Sequence, residues 1–160
     1  MRLNKSWTTH IPMLVKCVQR VDKPVLELGA GLFSTPLLHW LCKEQGVKLV
    51  TYENVEEYYK FSKSFQSREH RIRLTDDWSK VENNGTFWGV VFIDHAPAER
   101  RHIDAIRFAD KADIVIIHDS DEREIYQYDN VYPHFKYRYD WTACRPYTTV
   151  LSNFNNLKWI

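Results

Sequence analysis

Short apolar runs alternate with segments of helical period along almost the whole chain. WTTHIPMLVKCVQR (7–20) carries apolar residues at helical spacing and predicts a helix behind a short N-terminal arm. PVLELG (24–29) predicts a strand, and TPLLHWLCKEQ (35–45) a helix with Ser34 or Thr35 as N-cap and Pro36 in its first turn. KLVTYE (48–53) reads as a second strand. VEEYYKFSKSFQ (55–66) reads as a helix with Val55, Tyr58, Tyr59, Ser62 and Phe65 along one side, and HRIRLT (70–75) as a more polar third strand. FWGVVFID (87–94) is apolar on both faces, as a central parallel strand must be. PAERRHIDAIRFADK (97–111) predicts a helix with Ile103, Ile106 and Ala109 inward, and ADIVIIHD (112–119) another buried strand. DEREIYQYDN (121–130) follows as a short helix. FKYRYDWTACRPYTTVLSNF (135–154) reads as two antiparallel strands around Arg145-Pro146.

Repeated β-α units imply an α/β, doubly wound, mainly parallel sheet. The 160 residues suit one domain, and 44% hydrophobic with 14% aromatic content supports a packed core and excludes a disordered chain. A formal net charge of +1 supplies no bulk field for nucleic acid or an anionic membrane. No apolar run is long enough to span a bilayer, and the N-terminus shows no signal-peptide pattern. Cys17, Cys42 and Cys144 are scattered and odd in number. Reduced thiols in a cytoplasmic protein are the expectation.

In such a sheet ligands bind beyond the C-terminal strand ends, where the strand order reverses. The first strand ends in Glu27-Leu28-Gly29-Ala30-Gly31. Glycine there permits a sharp turn and close approach of a ligand, and the helix behind it points N–H groups outward. The third small residue of a dinucleotide fingerprint is replaced by Ser34, and no Gly-Lys-Ser/Thr follows to cradle phosphate. The second strand ends in Glu53, 22 residues beyond Gly31, a separation suited to a carboxylate that accepts ribose hydroxyls.

The stretch VLELGAG resembles the first motif of class I S-adenosylmethionine-dependent methyltransferases. The resemblance covers nearly the whole chain and implies a Rossmann-like seven-stranded sheet with an antiparallel C-terminal strand pair. It implies S-adenosylmethionine as cofactor. Glu27, Gly29, Ala30 and Gly31, flanked by Ser34 and Thr35, would meet its methionine part, Glu53 with Asn54 its ribose, and Asp77 with Trp78 its adenine. Residues 1–20 would close over the cofactor, with Trp7, Thr8 and Thr9 in contact.

Two strand ends carry the candidate reacting groups, Asp94-His95 and His118-Asp119-Ser120-Asp121-Glu122. In one reading His95 or His118 is a general base that takes a proton from an acceptor hydroxyl. In another, Asp94, Asp119 and Asp121 hold Mg²⁺. That arrangement is similar to the catechol-type O-methyltransferases, whose Asp-Asn pair is replaced here by Asp119-Ser120-Asp121. An N-capping acidic run at a helix start is the third reading. The acceptor expected is a small molecule, with a sugar-like hydroxyl as one candidate. Arg100, Arg101, His102 and Arg107, with Arg68, Arg71 and Arg73, form either a grip for phosphate or carboxylate or a solvated face. The absence of Asn/Asp-Pro-Pro-Tyr and of a catalytic Pro-Cys counts against a nucleic-acid methyltransferase, and an RNA or nucleotide substrate stays as an alternative. So does a non-catalytic module that binds a nucleoside or a partner. Tyr137, Tyr139 and Trp141 share one strand face, for sheet packing or a homodimer contact.

Overall fold

The computed structural model describes residues 5–81 and 85–160. Seven strands form one sheet: β1 (Val25–Leu28), β2 (Leu49–Glu53), β3 (His70–Leu74), β4 (Trp88–Ile93), β5 (Ala112–His118), β6 (Tyr137–Trp141) and β7 (Thr148–Ser152). Their order is β3-β2-β1-β4-β5-β7-β6. The first five run parallel, and β7 is antiparallel to both β5 and β6. This is the α/β, doubly wound, mainly parallel sheet with the antiparallel terminal pair that the sequence pattern implies. The order reverses between β1 and β4, so the crevice of such a sheet opens at the ends of these two strands.

The central strands are apolar because both faces are covered. In β4, Val91 and Ile93 join one core with Trp78, Phe108 and Tyr128, while Val90 and Phe92 join the other with Met13, Leu14 and Leu38. β5 alternates likewise, Val115 and Ile117 against Ile114 and Ile116. Each such side chain contributes about 1.5–3 kcal/mol on burial.

The helices are α1 (Ile11–Val18), α2 (Ser34–Gln45), α3 (Glu56–Ser62), α4 (Arg101–Arg107) and α5 (Arg123–Tyr126). The expected helix over 7–20 divides into a 3-10 turn at Lys5–Thr8 and α1. Residues 1–4 of the arm lie outside the described residues. Neither Ser34 nor Thr35 caps α2; Phe33 holds the cap position without a side-chain bond, and Thr35 is engaged elsewhere. In α3 Ser62 is buried but Val55 is 39% exposed, because that residue precedes the helix.

The larger departure is α4. Ile103 is 44% exposed, whereas Arg101 and Asp104 are buried beside Ala105 and Phe108. The inner face follows the spacing i, i+3, i+4, i+7, but polar residues occupy its first two places. Tyr139 and Trp141 pack on one core, while Tyr137 at the edge is exposed. Among the described residues no helix is long and apolar enough to cross a membrane.

Candidate active site

A cavity of ≈ 310 Å³ opens at the C-terminal edge of the sheet, within the range of small-molecule sites. It is bordered by the turn after β1 (Ala30, Gly31), Glu53 at the end of β2, Asp94 and His95 after β4, and His118 and Asp119 at the end of β5. Ser6, Trp7 and His10 close it from the N-terminal side, and Ser34, Tyr58 and Arg101 also line its wall.

The turn is built for close approach. Gly29 has φ +94°, and a Cβ on it would lie 2.6 Å from the backbone of His95. The glycine thus lets the ends of β1 and β4 pack together, which sets Ala30 against the second strand. Ala30 N–H donates to Glu53 Oε2 at 2.6 Å; Asn54 and Val55 N–H donate to Oε1 at 2.8 and 2.6 Å. One carboxylate therefore ties two strand-end loops together. With two lone-pair sites per oxygen, one acceptor site remains on Oε2. Burial raises the Glu53 pKa against the pull of these donors.

Glu27 is deeper, fully buried in β1. Thr35 Oγ1 donates to both of its oxygens, at 3.1 and 3.0 Å, and Thr51 Oγ1 to Oε2 at 2.7 Å. Gly31 N–H donates to Thr35 Oγ1 at 3.0 Å. Behind Thr51 stand His70 Nε2 at 2.8 Å and, 3.1 Å from His70 Nδ1, His39 Nδ1. Because Thr51 donates to the carboxylate, His70 must donate from Nε2 and accept at Nδ1. Burial pushes the Glu27 pKa up to about 7 and that of His70 down to about 4. Glu27 thus supports the turn from beneath and does not border the cavity.

The β4–β5 side is held by side-chain charge. Arg101 Nη1 lies 3.0 Å from Asp94 Oδ1 and donates to Asp119 Oδ2 at 2.8 Å; its Nε donates to the His95 carbonyl at 2.6 Å. Asp119 adopts φ +55°, a left-handed conformation that aims its carboxylate back at Arg101, where Tyr126 Oη also donates to it at 3.0 Å. His118 presents Nδ1 to Asp94 Oδ1 at 3.3 Å and Nε2 to Thr9 Oγ1 at 2.9 Å. Burial works against a charge on His118, but Asp94 and Asp119 outweigh it and raise its pKa. Burial likewise opposes the Asp94 charge, and His118 and Arg101 hold that carboxyl well below the usual range.

His95 is oriented differently. Its Nε2 faces Asp104 Oδ2 at 3.0 Å, and its ring stacks on Trp78 at 4.1 Å. Asp104 is fully buried and is also bonded by Arg100 Nε at 2.9 Å, with Arg107 2.8 Å away. Nδ1 of His95 has no hydrogen-bond partner. Burial lowers the His95 pKa despite Asp104. A neutral ring that donates from Nε2 carries its lone pair on Nδ1.

Several expected residues fall elsewhere. Asp77 caps the turn at Trp78–Lys80, accepting from Ser79 N–H at 2.9 Å, and Trp78 donates to the Ala96 carbonyl at 2.8 Å; neither borders the cavity. Thr9 holds His118, and Thr8 lies outside the cavity wall. Asn54 contributes its backbone N–H, and Ser34 borders the cavity. The expected Mg²⁺ set is corrected. Asp94 and Asp119 converge on the guanidinium of Arg101, while Asp121 turns away to accept from Tyr147 N–H at 2.8 Å. Arginine occupies the place between carboxylates that a hard cation needs.

No family model matches the chain, and no curated protein matches it in sequence. Solved structures do match it in shape. The N-terminal domain of human METTL16 in complex with SAH superposes with a TM-score of 0.63 at 9% identity, over 97% of this chain and 73% of that one. Spermidine synthase from Thermotoga maritima gives 0.65 at 13%, over 98% and 63%. A putative caffeoyl-CoA O-methyltransferase from Staphylococcus aureus gives 0.62 at 14%, over 94% and 84%. The chain has the class I methyltransferase fold. The chain spans less than two thirds of the spermidine synthase, and that neighbour's name shows that the fold serves more than one reaction.

Sequence reasoning missed His10, Tyr58 and Asp104 in this methyltransferase-fold site, and it read Arg101 as a grip for phosphate or carboxylate or as a solvated face, whereas Arg101 holds the protein's own Asp94 and Asp119. Arg101 and Asp104 had a readable signal, since they share the period-3.6 face of Ala105 and Phe108. His10 had none; 108 residues separate it from His118, its ring neighbour at 4.8 Å.

Proposed function

We propose that the protein binds S-adenosylmethionine in this cavity and transfers its methyl group to an oxygen of a small hydroxylated acceptor. The observation that carries the reading is the Glu53 carboxylate, held against the Gly29–Gly31 turn by Ala30 N–H and fixed from its own loop by Asn54 and Val55 N–H, with one acceptor site left on Oε2. It stands on a fold that METTL16 shows in complex with SAH.

The donor set fits a cationic, hydroxyl-bearing nucleoside. Glu53, Asp94 and Asp119 border the cavity, and Arg101 is engaged by the last two, so Glu53 is left to accept a ribose hydroxyl. A phosphate would meet carboxylates there. Tyr58 offers a ring face for the base. When bound, S-adenosylmethionine supplies an electrophilic methyl group on a sulfonium. His95 takes the acceptor's hydroxyl proton at Nδ1, and Asp104 fixes the tautomer from Nε2, the logic of a His-Asp pair.

Titration calorimetry with S-adenosylmethionine and S-adenosylhomocysteine tests the cofactor. Glu53→Gln should weaken both by about 1–3 kcal/mol, the loss of a charge-assisted hydrogen bond. Absence of heat with either ligand refutes the reading. His95→Ala should slow single-turnover methyl transfer by about 10²–10⁴-fold with little change in cofactor affinity.

A further inference from the structure

Three side chains from distant parts of the chain converge on one wall of the cavity. His10 precedes α1, Asp94 follows β4, and His118 ends β5. One ligating atom of each lies within 4.8 Å of the others, and among the described residues this is the one group of histidine, cysteine, aspartate and glutamate side chains that converges so. His10 is 3% exposed and borders the cavity, yet neither of its ring nitrogens has a hydrogen-bond partner. One side of its ring is covered by Phe92 at 5.0 Å, and the edge of His118 stands 4.8 Å away. Buried polar atoms are nearly always satisfied, and neutral imidazole is the commonest protein ligand for a metal.

We infer that His10, Asp94 and His118 form a binding site for one divalent first-row transition ion of the zinc type. Bonds of about 2.0–2.2 Å in a tetrahedral shell put neighbouring ligand atoms about 3.3 Å apart, so the observed group closes by roughly 1.5 Å or less. Two imidazoles and a carboxylate select zinc, cobalt, nickel or iron and disfavour magnesium, which prefers an all-oxygen octahedron. Asp94 Oδ1 faces Arg101 and His118, which leaves Oδ2 for the ion. His118 binds as the neutral ring: the ion takes the place of the 3.3 Å contact between its Nδ1 and Asp94 Oδ1, any proton there leaves to solvent, and Nε2 keeps its partner Thr9. With three protein ligands, the fourth position opens on the cavity, where a water or an acceptor oxygen binds. This ligand set differs from the aspartate set expected from the sequence, because it draws on the N-terminal arm and excludes Asp121.

Co²⁺ titration of the full chain without any nucleoside tests the site, so its failure is separate from a failure to bind S-adenosylmethionine. The expected result is one Co²⁺ per chain with visible d–d bands, displaced by stoichiometric Zn²⁺ and not by excess Mg²⁺. His10→Ala and, separately, Asp94→Asn should each weaken binding by about a hundredfold or more, a larger loss than outer-shell changes produce. Circular dichroism checks that each variant is folded. No stoichiometric band in the wild type overturns the proposal, whatever the variants do. So does a thiolate charge-transfer band, which would report the exposed Cys144 as ligand, or an unchanged spectrum in folded His10→Ala.

Discussion

The two ends of the cavity are held by different forces. At the β1–β2 end, Glu53 and Glu27 are fixed by backbone N–H groups and threonine hydroxyls, with no cationic partner. At the β4–β5 end, about two strand spacings or roughly 10 Å away, Asp94, Asp119 and His118 are fixed by one guanidinium and by one another. Main-chain donors cannot move without moving the loops, so the first end suits recognition of a fixed ligand. Side-chain charges can regroup, and two ring systems there, His10 and His95, keep nitrogens unpartnered. That end suits chemistry.

The contrast breaks hardest at Arg101. Arg101→Ala removes the charge between Asp94 and Asp119 and should cost about 3–5 kcal/mol in urea unfolding, as loss of one member of a buried ion pair does. A loss below about 1 kcal/mol would mean that His118 alone compensates both carboxylates. The opposite end should respond to pH. The Glu27 pKa rises from 4.5 to about 7 on folding, so the folded chain holds a proton that the unfolded one releases. The sign follows: this contribution is whole below pH 4.5 and is lost as pH rises through 7, on the order of 3 kcal/mol. Glu27→Gln should flatten the stability profile over that window. An unchanged slope would assign it to other groups. The smallest effect belongs to the seam between the ends. Gly29→Ala imposes a left-handed φ on a residue whose Cβ meets His95, and should cost about 1–3 kcal/mol in thermal unfolding. A neutral result would show that the β4 loop yields at that point.

What was legible in the sequence follows the same division. The strands along the chain and the turn after β1 were readable because hydrophobic runs and glycine report local backbone needs. Glu27 and Glu53 stand on those strands, so their placement came with them. Ile103 and Asp104 show where reading stopped. Hydrophobicity favoured Ile103 inward, but the buried Asp104 is stabilised by His95, Arg100 and Arg107, partners that only the tertiary fold supplies. Asp77 and Trp78 show the reverse case. Their position after β3 suggested an adenine contact, while the local geometry uses them as a cap and as a stacking partner for His95. His10 was invisible because its neighbours in the site, Asp94 and His118, are far from it in sequence.

The bond between Thr9 and His118 joins residues 109 apart. During synthesis at about 5–20 residues per second, the arm emerges roughly 5–20 s before the strand it must meet. Until then the wall of the cavity has no opposite side, and Trp7 and His10 remain in water. The site is therefore older in its parts than in its assembly, completed only after five strands exist for the arm to close upon.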